Sequence, residues 1–477
     1  MQAKGNYRWV IVALLFFATT VNYLDRQVLS LTWKDHLVPE FHWTNTDYGN
    51  ITALFSIFYA IGMLFAGRFI DWMDTRKGFV WAIGIWSVGA CLHAFCGIAS
   101  SGILTGKWMV GFAGAKSSLK TVQDIGTVVS VSVSLFIFAR LVLALGEAGN
   151  FPAAIKTTAE YFPKKDRALA TSIFNAGSTV GALAAPVTVP FIAEAWGWEM
   201  AFLIIGALGF LWIGFWLYAY DKPERHPKVS AAELAYIQQD VTNDATGAAN
   251  ETPATERLSF AKCFKYRQTW AFAVGKFMTD GVWWFFLFWA PAYLSSVYNM
   301  NATQSALPLF VLYLITLLSI IGGWLPSYFV DKLKMNPYAG RMRAMLIFAF
   351  FPLLAMLAQP LGETTYWLPV MIIGLAAAAH QAWSANIFST VGDMFPKKAI
   401  ATITGIGGMA GGIGSFIINK SSGVLFDYAK NTNMQFMGFS GERAGYFIIF
   451  CICAVTYLIA WIIMKALVPR YKPITDL

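Results

Sequence analysis

An arginine and a glutamate lie seven residues apart in an otherwise apolar run. Arg140 and Glu147 occur in FIFARLVLALGEAGNFP, where most other residues are Leu, Val, Ala, Phe and Gly. At 3.6 residues per turn, this spacing places both side chains on one face of a helix. A charge inside an apolar helix is costly in a bilayer, so it faces a bundle interior or a water-filled cavity. The pair therefore predicts a functional site.

A second acid and base, Asp25 and Arg26, follow Asn22 and Tyr23 in the first apolar run. Neighbouring helix positions point about 100° apart, so these two groups need not pair with each other. They could instead lie at the outer interface with their charged heads in water. Because the fourth apolar run also holds an acid and a base, we favour a shared central cavity.

This set of groups has a definite chemistry. The planar guanidinium of an arginine matches a carboxylate through two parallel hydrogen bonds. A carboxyl group in an apolar site favours its neutral form more than it does in water, so it can take up and release protons. Two arginines with two acids can therefore bind an anion and carry protons.

The composition places these residues in a membrane protein that crosses the bilayer many times. Of 477 residues, 57% are hydrophobic and 13% are charged, and the mean hydropathy is +0.54. Soluble domains carry roughly 25% charged residues. The five cysteines fit no metal-binding spacing, and we expect no cofactor and no metal.

Apolar runs near the roughly 20 residues that a bilayer requires occur throughout the chain. We predict an all-α membrane protein with twelve transmembrane helices. The predicted spans are 8–28, 49–70, 79–98, 126–148, 168–191, 198–220, 268–294, 305–330, 343–361, 366–390, 400–424 and 444–467.

The distribution of lysine and arginine predicts the orientation. Most of the 35 basic residues fall in alternate loops, which identifies those loops as cytoplasmic. Both termini are then cytoplasmic, and we expect a bacterial inner-membrane protein that works as a monomer. The net charge of +9 follows from this asymmetry, so nucleic acid is not expected as a partner. The long outer segment 99–125 is a packed insertion or, alternatively, an outer lid.

The two halves of the chain resemble each other. Phe162-Pro163-Lys164-Lys165 recurs as Phe395-Pro396-Lys397-Lys398, and the same offset aligns Gly181 with Gly414. We predict a six-helix bundle at 1–220, a cytoplasmic linker at 221–267 and a second bundle at 268–477. Repeat-related halves are typical of transporters, which bind their substrate between the repeats near the bilayer midplane.

The end of the second span carries charges suited to a cytoplasmic latch. We predict gating roles for Asp71, Arg76 and Asp331, the last lying nine residues after a glycine, as Asp71 does. The segment resembles the major facilitator signature Gly-x3-Asp-[Arg/Lys]-x-Gly-[Arg/Lys]-[Arg/Lys] at Gly67 and Asp71. It departs from that signature at Trp72, which replaces a basic residue.

Four spans together are similar to the anion:cation symporter family, and within it to hexuronate transporters. The motifs are Asn22 to Arg26, Gly146 to Pro152, Lys276 to Pro291 and His380 to Asn386. This resemblance implies a major facilitator fold and proton-coupled uptake of a sugar acid such as galacturonate or glucuronate. It assigns proton coupling to two acids, and substrate contact to two arginines and two tyrosines: Asp25, Glu147, Arg26, Arg140, Tyr23 and Tyr59.

Further side chains suit the rest of a sugar acid. Amide and hydroxyl groups match its hydroxyls, and rings match its C–H face; the candidates are Asn175, Ser178, His380, Gln381, Asn386, Trp284 and Trp383. Some family members have Gln where Ser178 stands, so the hydroxyl pattern of the substrate can differ. Each Trp could instead pack in the core, and His380 could be a structural group. Lys276 and Asp280, four residues apart, could form an internal pair.

The expected function is therefore import of a hexuronate together with protons by alternating access. Another organic anion, such as an aldonate or a glucarate, is the alternative within transport. A sensor built on a transporter fold is the alternative from another class. The sequence lacks His-Glu-x-x-His, Gly-x-Ser-x-Gly and a phosphate-binding loop, so we do not expect an enzyme.

Overall fold

The computed structural model describes residues 5–239 and 260–474. Before the gap the helices are α1 (Tyr7–Thr32), α2 (Val38–Phe41), α3 (Asn45–Met73), α4 (Thr75–Thr105), α5 (Phe112–Leu119), α6 (Ile125–Glu147), α7 (Asn150–Tyr161), α8 (Lys164–Trp196), α9 (Trp198–Ala219) and α10 (Ala231–Ile237). We refer to these described residues as the N-terminal half. A π-helical turn, Trp33–Leu37, joins α1 to α2.

After the gap the helices are α11 (Phe260–Cys263), α12 (Arg267–Tyr298), α13 (Ala302–Ile315), α14 (Ile321–Asp331), α15 (Pro337–Phe350), α16 (Ala358–Leu361), α17 (Trp367–Met394), α18 (Lys397–Asn431) and α19 (Glu442–Leu467). These form the C-terminal half. A short hairpin of β1 (Gln435–Phe436) and β2 (Phe439–Ser440) precedes α19. Turns of 3-10 helix, Thr316–Ile320 and Phe351–Leu357, interrupt the predicted eighth and ninth spans.

Within the described residues, ten helical segments are long and apolar enough to cross a membrane. The other two predicted spans correspond to α12 and α18, which are long helices but do not join that set. Lys276 and Asp280 lower the apolar character of α12, and α18 is rich in glycine and polar residues. The number of twelve spans therefore stays a prediction.

The segment 99–125 and the linker differ from simple loops. Helix α4 continues to Thr105, and α5 covers part of the segment before α6 begins at Ile125. In the linker, Ser230 caps α10, and the buried Glu233 carboxylate accepts hydrogen bonds from the Tyr7 and Arg8 backbone N–H groups. Residues 240–259 of the predicted linker lie outside the described residues, so the division into domains stays a prediction.

Glycines allow close helix packing at corresponding places in the two halves. A Cβ at Gly181 would lie 2.3 Å from the Thr20 carbonyl oxygen, so α8 packs directly on α1. A Cβ at Gly414 would lie 1.8 Å from the Phe277 carbonyl oxygen, so α18 packs in the same way on α12. The repeat predicted from the sequence aligns these two glycines, and the repeat itself stays a prediction. The two contacts also hold α1, which carries Tyr23, Asp25 and Arg26, and α12, which carries Trp284.

The halves meet along α3 and α18. Gly423 approaches the Asn45 carbonyl, Gly412 approaches Ala60, and between them the Ser56 and Ser415 hydroxyls lie 3.1 Å apart. Small residues permit this approach because they let two helix backbones come close together. The contact extends from the first residue of α3 for about four turns, which covers the helix end predicted to face the outside.

Candidate functional site

A buried ion pair joins the two sequence motifs of the N-terminal half. The Glu147 Oε2 atom accepts hydrogen bonds from Arg26 Nη2 at 2.7 Å and from Arg26 Nε at 3.0 Å. Both side chains are fully buried. A charged pair buried in this way is strongly held, because losing either partner leaves an uncompensated charge. The pair brings α1 and α6 together in the bundle interior.

Four aromatic rings surround the Arg26 guanidinium. Its central carbon lies 4.8 Å from the Tyr59 ring centre, 4.9 Å from that of Trp284, 5.0 Å from that of Tyr23 and 5.8 Å from that of Phe55. An arginine over an aromatic face is stabilised by the ring quadrupole. Tyr23, Phe55 and Tyr59 belong to the N-terminal half and Trp284 to the C-terminal half, so the cage spans the junction of the two.

Arg140 is buried but has few internal partners. Its Nη2 atom lies 3.5 Å from the Arg26 carbonyl oxygen, and its guanidinium lies 5.1 Å from the Phe55 ring centre. The Nε and Nη1 atoms donate no hydrogen bond to any described residue. Buried donors in native proteins are nearly always bonded. Arg140 therefore has donors available for an anion, whereas Arg26 is engaged by Glu147.

Asp25 is the second buried acid of this cluster. It is 2% exposed, and neither carboxyl oxygen bonds to a described residue. It lies within electrostatic reach of Arg140 and Glu147. Asp25 and the Glu147–Arg26 pair thus offer two different environments for a proton in one cluster.

The C-terminal half contributes a second buried ion pair. Lys276 Nζ lies 2.7 Å from Asp280 Oδ2 on α12, and the ammonium lies 4.1 Å from the Phe388 ring centre. Trp284 follows Asp280 by one helical turn and reaches the Arg26 cage. Asp280 also touches α18, since a Cβ at Gly411 would lie 2.2 Å from its Oδ2 atom. The pair therefore lies near the junction of the halves, on the same helix face as Trp284.

Three predicted substrate residues on α17 point into the C-terminal half. His380 Nδ1 is 2.8 Å from the Tyr457 hydroxyl, and its ring stacks on Trp283. Trp383 is fully buried and meets Tyr457 edge to face. Asn386 donates from Nδ2 to the Gly322 carbonyl oxygen at 2.8 Å, which fixes α17 against α14. The structure thus places these three among packing partners within the C-terminal half.

The remaining polar candidates are Asn175, Ser178 and Gln381. Asn175 is exposed, and Ser178 donates its hydroxyl to the Asn175 carbonyl oxygen at 2.7 Å. Gln381 is half-buried on α17, next to His380 but turned about 100° away from it. The structure does not bring Asn175 or Ser178 into contact with the charged groups.

Two of the three predicted latch residues form contacts inside the N-terminal half. Asp71 pairs with Lys156 at 2.9 Å, and Arg76 Nη2 donates to the Leu217 carbonyl oxygen at 2.7 Å. Asp331 is exposed at the end of α14. These contacts tie α3 and α4 to α7 and α9, and a latch between the halves is not formed by them in this structure.

Two site residues were not predicted from the sequence. Phe55, which lies under both Arg26 and Arg140, is one helical turn before Tyr59 and could have been found from that spacing. Tyr457, the partner of His380, occurs in an apolar span without charge or motif. Nothing in its sequence context indicated a contact with α17.

The fold agrees with the comparisons with known proteins. The model of the Major Facilitator Superfamily matches residues 15–418, and the chain belongs to that family. A crystal structure of a D-xylose-proton symporter has the same fold, with a TM-score of 0.69 at 15% identity over 98% of this chain and all of that one.

Three curated relatives transport sugar acids according to their names. The hexuronate transporter of Escherichia coli K12 is 26% identical over 90% of this chain and 89% of its own length. The galacturonate transporter of Dickeya chrysanthemi is 28% identical over 71% of this chain and 87% of its own. The probable galactarate/D-glucarate transporter of E. coli K12 is 26% identical over 93% of this chain and 94% of its own length. The chain is therefore an integral membrane protein of a transporter family, and not an enzyme.

Proposed function

We propose that this protein imports a hexuronate, such as galacturonate or glucuronate, together with protons by alternating access. The observation that carries the proposal is the buried cluster of Arg26, Glu147, Arg140 and Asp25 at the junction of the halves. It combines an arginine with available donors, a closed ion pair and an unpaired acid. The named activities of the hexuronate and galacturonate relatives support the same substrate class.

In this proposal the charged groups have separate roles. The substrate carboxylate binds Arg140 and then competes with Glu147 for Arg26. Glu147 accepts a proton when the substrate displaces it, because an unpaired carboxylate in this buried site is costly. Asp25 is the second proton-coupling group. Tyr23, Tyr59 and Trp284 pack against the sugar ring.

The proposed arrangement in the membrane follows the predicted halves and orientation. Two six-helix bundles, 1–220 and 268–477, move relative to each other about the cluster, and both termini are cytoplasmic. The linker at 221–267 keeps the bundles connected. Asp71, Arg76 and Asp331 act at the cytoplasmic end, as a latch that forms when that end closes. A bacterial inner membrane supplies the proton gradient, and the monomer suffices for transport.

The test of the substrate class is counterflow into liposomes that contain the purified protein. Liposomes are loaded with one unlabelled sugar acid or with a neutral sugar, and entry of labelled galacturonate is measured without a proton gradient. We expect galacturonate and glucuronate inside to drive entry of the label, and neutral galactose to be inactive. Entry driven equally well by neutral sugars would contradict the role of the arginines.

A second candidate function is transport of a six-carbon sugar diacid, such as galactarate. The Lys276–Asp280 pair favours it, because Lys276 gives the C-terminal half a cation of its own. Asp280 and Trp284 are one turn, about 6 Å, apart along α12. A diacid whose first carboxylate binds Arg140 can then place its second carboxylate near Lys276, in place of Asp280.

Neutralising that pair separates the two candidates. In the variant Lys276→Met with Asp280→Asn, no unpaired charge remains buried, which limits the loss of stability. If diacids are substrates, galactarate uptake should fall at least about tenfold, as expected for a lost charged hydrogen bond, while galacturonate uptake changes less than about threefold. Lys420→Met, which removes another lysine at membrane depth, is the control. An equal fall for both acids would identify the pair as structural.

A further inference from the structure

At the end of the bundle predicted to face the outside, a carboxylate of the C-terminal half caps a helix of the N-terminal half. Asp427, near the end of α18, accepts hydrogen bonds from the backbone N–H groups of Asn45 at 3.0 Å and Thr46 at 2.6 Å. Its Oδ1 atom also accepts from Asn45 Nδ2 at 3.0 Å. Asn45 and Thr46 are the first two residues of α3.

The reverse contact exists a short distance away. Asp35, in the π-turn after α1, accepts a hydrogen bond from the backbone N–H of Ala302. Ala302 is the first residue of α13 in the C-terminal half. In the predicted repeat, α3 and α13 begin corresponding spans. Each half thus supplies a carboxylate to the start of the equivalent helix in the other half.

These carboxylates accept hydrogen bonds from backbone N–H groups that the local caps of α3 and α13 leave free. Thr44 caps α3 through the Asp47 N–H, and Asn301 caps α13 through the Gln304 N–H. Such boxes satisfy the third N–H of a helix but leave the first two free. Asp427 accepts from both free N–H groups of α3, and Asp35 accepts from the first of α13, where the helix dipole also favours negative charge. The two caps therefore depend on the halves being in contact at this end.

Further contacts surround the two caps, some within the N-terminal half and some between the halves. Lys34 Nζ lies 3.1 Å from Asn45 Oδ1 and 3.8 Å from Glu442 Oε1 of α19. Beneath them, Trp33 stacks on Tyr48 at 4.0 Å, and the Tyr48 hydroxyl donates to the Phe288 carbonyl oxygen at 2.8 Å. Trp33 and Tyr48 are fully buried. A polar layer thus covers an aromatic layer, and the Arg26 cage lies deeper along the same helices.

We propose that Asp35 and Asp427 are gating residues that hold the outer end of the transporter closed. This inference rests on the proposed function only in taking alternating access and the predicted orientation as given. When the outer end opens, both carboxylates and the helix N–H groups lose their hydrogen bonds to each other and form hydrogen bonds to water instead. That exchange has a small net free energy, because bonds to water replace bonds within the protein. The caps therefore stabilise closure without preventing opening.

The test measures the separation of the halves at this end without any substrate. Spin labels are attached at Lys107→Cys and Met437→Cys, both exposed positions in the predicted outer region, in a chain whose five native cysteines are replaced. Distances are recorded by pulsed electron resonance in lipid nanodiscs. We expect Asp427→Ala to raise the ratio of long to short distances roughly tenfold, as expected for losing hydrogen bonds to a charged group.

Asp35→Ala should act in the same direction, and Asp427→Asn should lie between wild type and Asp427→Ala. Asparagine has the shape of aspartate and keeps an acceptor oxygen but loses the charge. We therefore expect this substitution to disturb folding little. Asp124→Ala is the matched control, because Asp124 caps α6 within the N-terminal half, at 3.3 Å from the Thr127 N–H. The control should leave the distances unchanged.

The outcomes distinguish this inference from the proposed function. Unchanged distances in Asp427→Ala and Asp35→Ala, whatever the uptake result, would overturn the gate. An equal shift in Asp124→Ala would also overturn it, because the effect would then be a general loss of helix caps. A shift limited to the two gate variants supports it, even if the wild-type protein takes up no hexuronate and the proposed substrate is wrong.

Discussion

Replacing Glu147 by Gln is expected to abolish proton-driven accumulation of the sugar acid while exchange of internal for external substrate continues. Gln keeps an oxygen that can accept the two Arg26 hydrogen bonds, which are 2.7 and 3.0 Å long to Glu147 in the wild-type protein. It cannot gain or lose a proton. We expect accumulation under an imposed pH gradient to fall at least about tenfold, and counterflow to change less than about threefold, because only the charge-assisted part of the pairing is lost.

Glu40→Gln provides the matched control for this variant. Glu40 is also a buried carboxyl group of the N-terminal half, but it accepts a hydrogen bond from Trp198 Nε1 at 2.9 Å, well away from the arginine cluster. Accumulation should be normal in that variant. Normal accumulation in Glu147→Gln would remove Glu147 from proton coupling and leave Asp25 as the candidate.

Replacing Arg140 by Ala is expected to remove most of the affinity for the sugar acid. The Nε and Nη1 atoms are the available donors of the cluster, and bonds to a charged group contribute roughly 1.5–3 kcal/mol. The dissociation constant, measured by calorimetry in detergent, should therefore rise about 10- to 100-fold. Arg140→Lys should recover only part of it, because an ammonium cannot form two parallel hydrogen bonds.

The structure also predicts that Arg140→Ala remains folded. Arg140 makes one long hydrogen bond, at 3.5 Å, to the Arg26 carbonyl oxygen, so its removal breaks little within the protein. Arg341→Ala, which removes an arginine paired with Asp393 at 2.6 Å outside the cluster, is the control for binding. Unchanged affinity in a folded Arg140→Ala protein would assign the carboxylate to Arg26 instead.

The sequence predicted the positions of the charged groups better than their pairing. A spacing of seven correctly placed Arg140 and Glu147 on α6, and both face the bundle interior. The partner of Glu147 is nevertheless Arg26, because the packing of α1 against α6 decides which arginine reaches the carboxylate. Sequence spacing describes one helix at a time, whereas this contact depends on the relative rotation of two helices.

The neutral part of the site was harder to predict for a similar reason. Polar and aromatic residues on α17 suit a sugar by type, yet His380 and Trp383 face Tyr457, and Asn386 bonds the Gly322 carbonyl oxygen. Asn386 satisfies the backbone at the start of α14, just after a 3-10 turn. Residue type alone does not distinguish a ligand contact from such an internal partner. Their roles in substrate binding stay predictions.

The reciprocal caps of α3 and α13 show a different limit. Thr44 and Asn301 each lie next to the helix that they cap. The carboxylates that complete these caps lie 382 residues away from Asn45 and 267 residues away from Ala302 along the chain. Only the packing of the two halves identifies them.

Accumulation of labelled galacturonate in liposomes, driven by a pH gradient alone, tests the central proposal most directly. Purified protein is reconstituted at equal internal and external substrate concentration, and the outside is then acidified. We predict net uptake against the resulting concentration gradient, and its loss when a proton carrier collapses the pH difference. Uptake at the same rate and to the same level without any gradient would contradict proton coupling, and no uptake of any sugar acid would contradict the proposed substrate class.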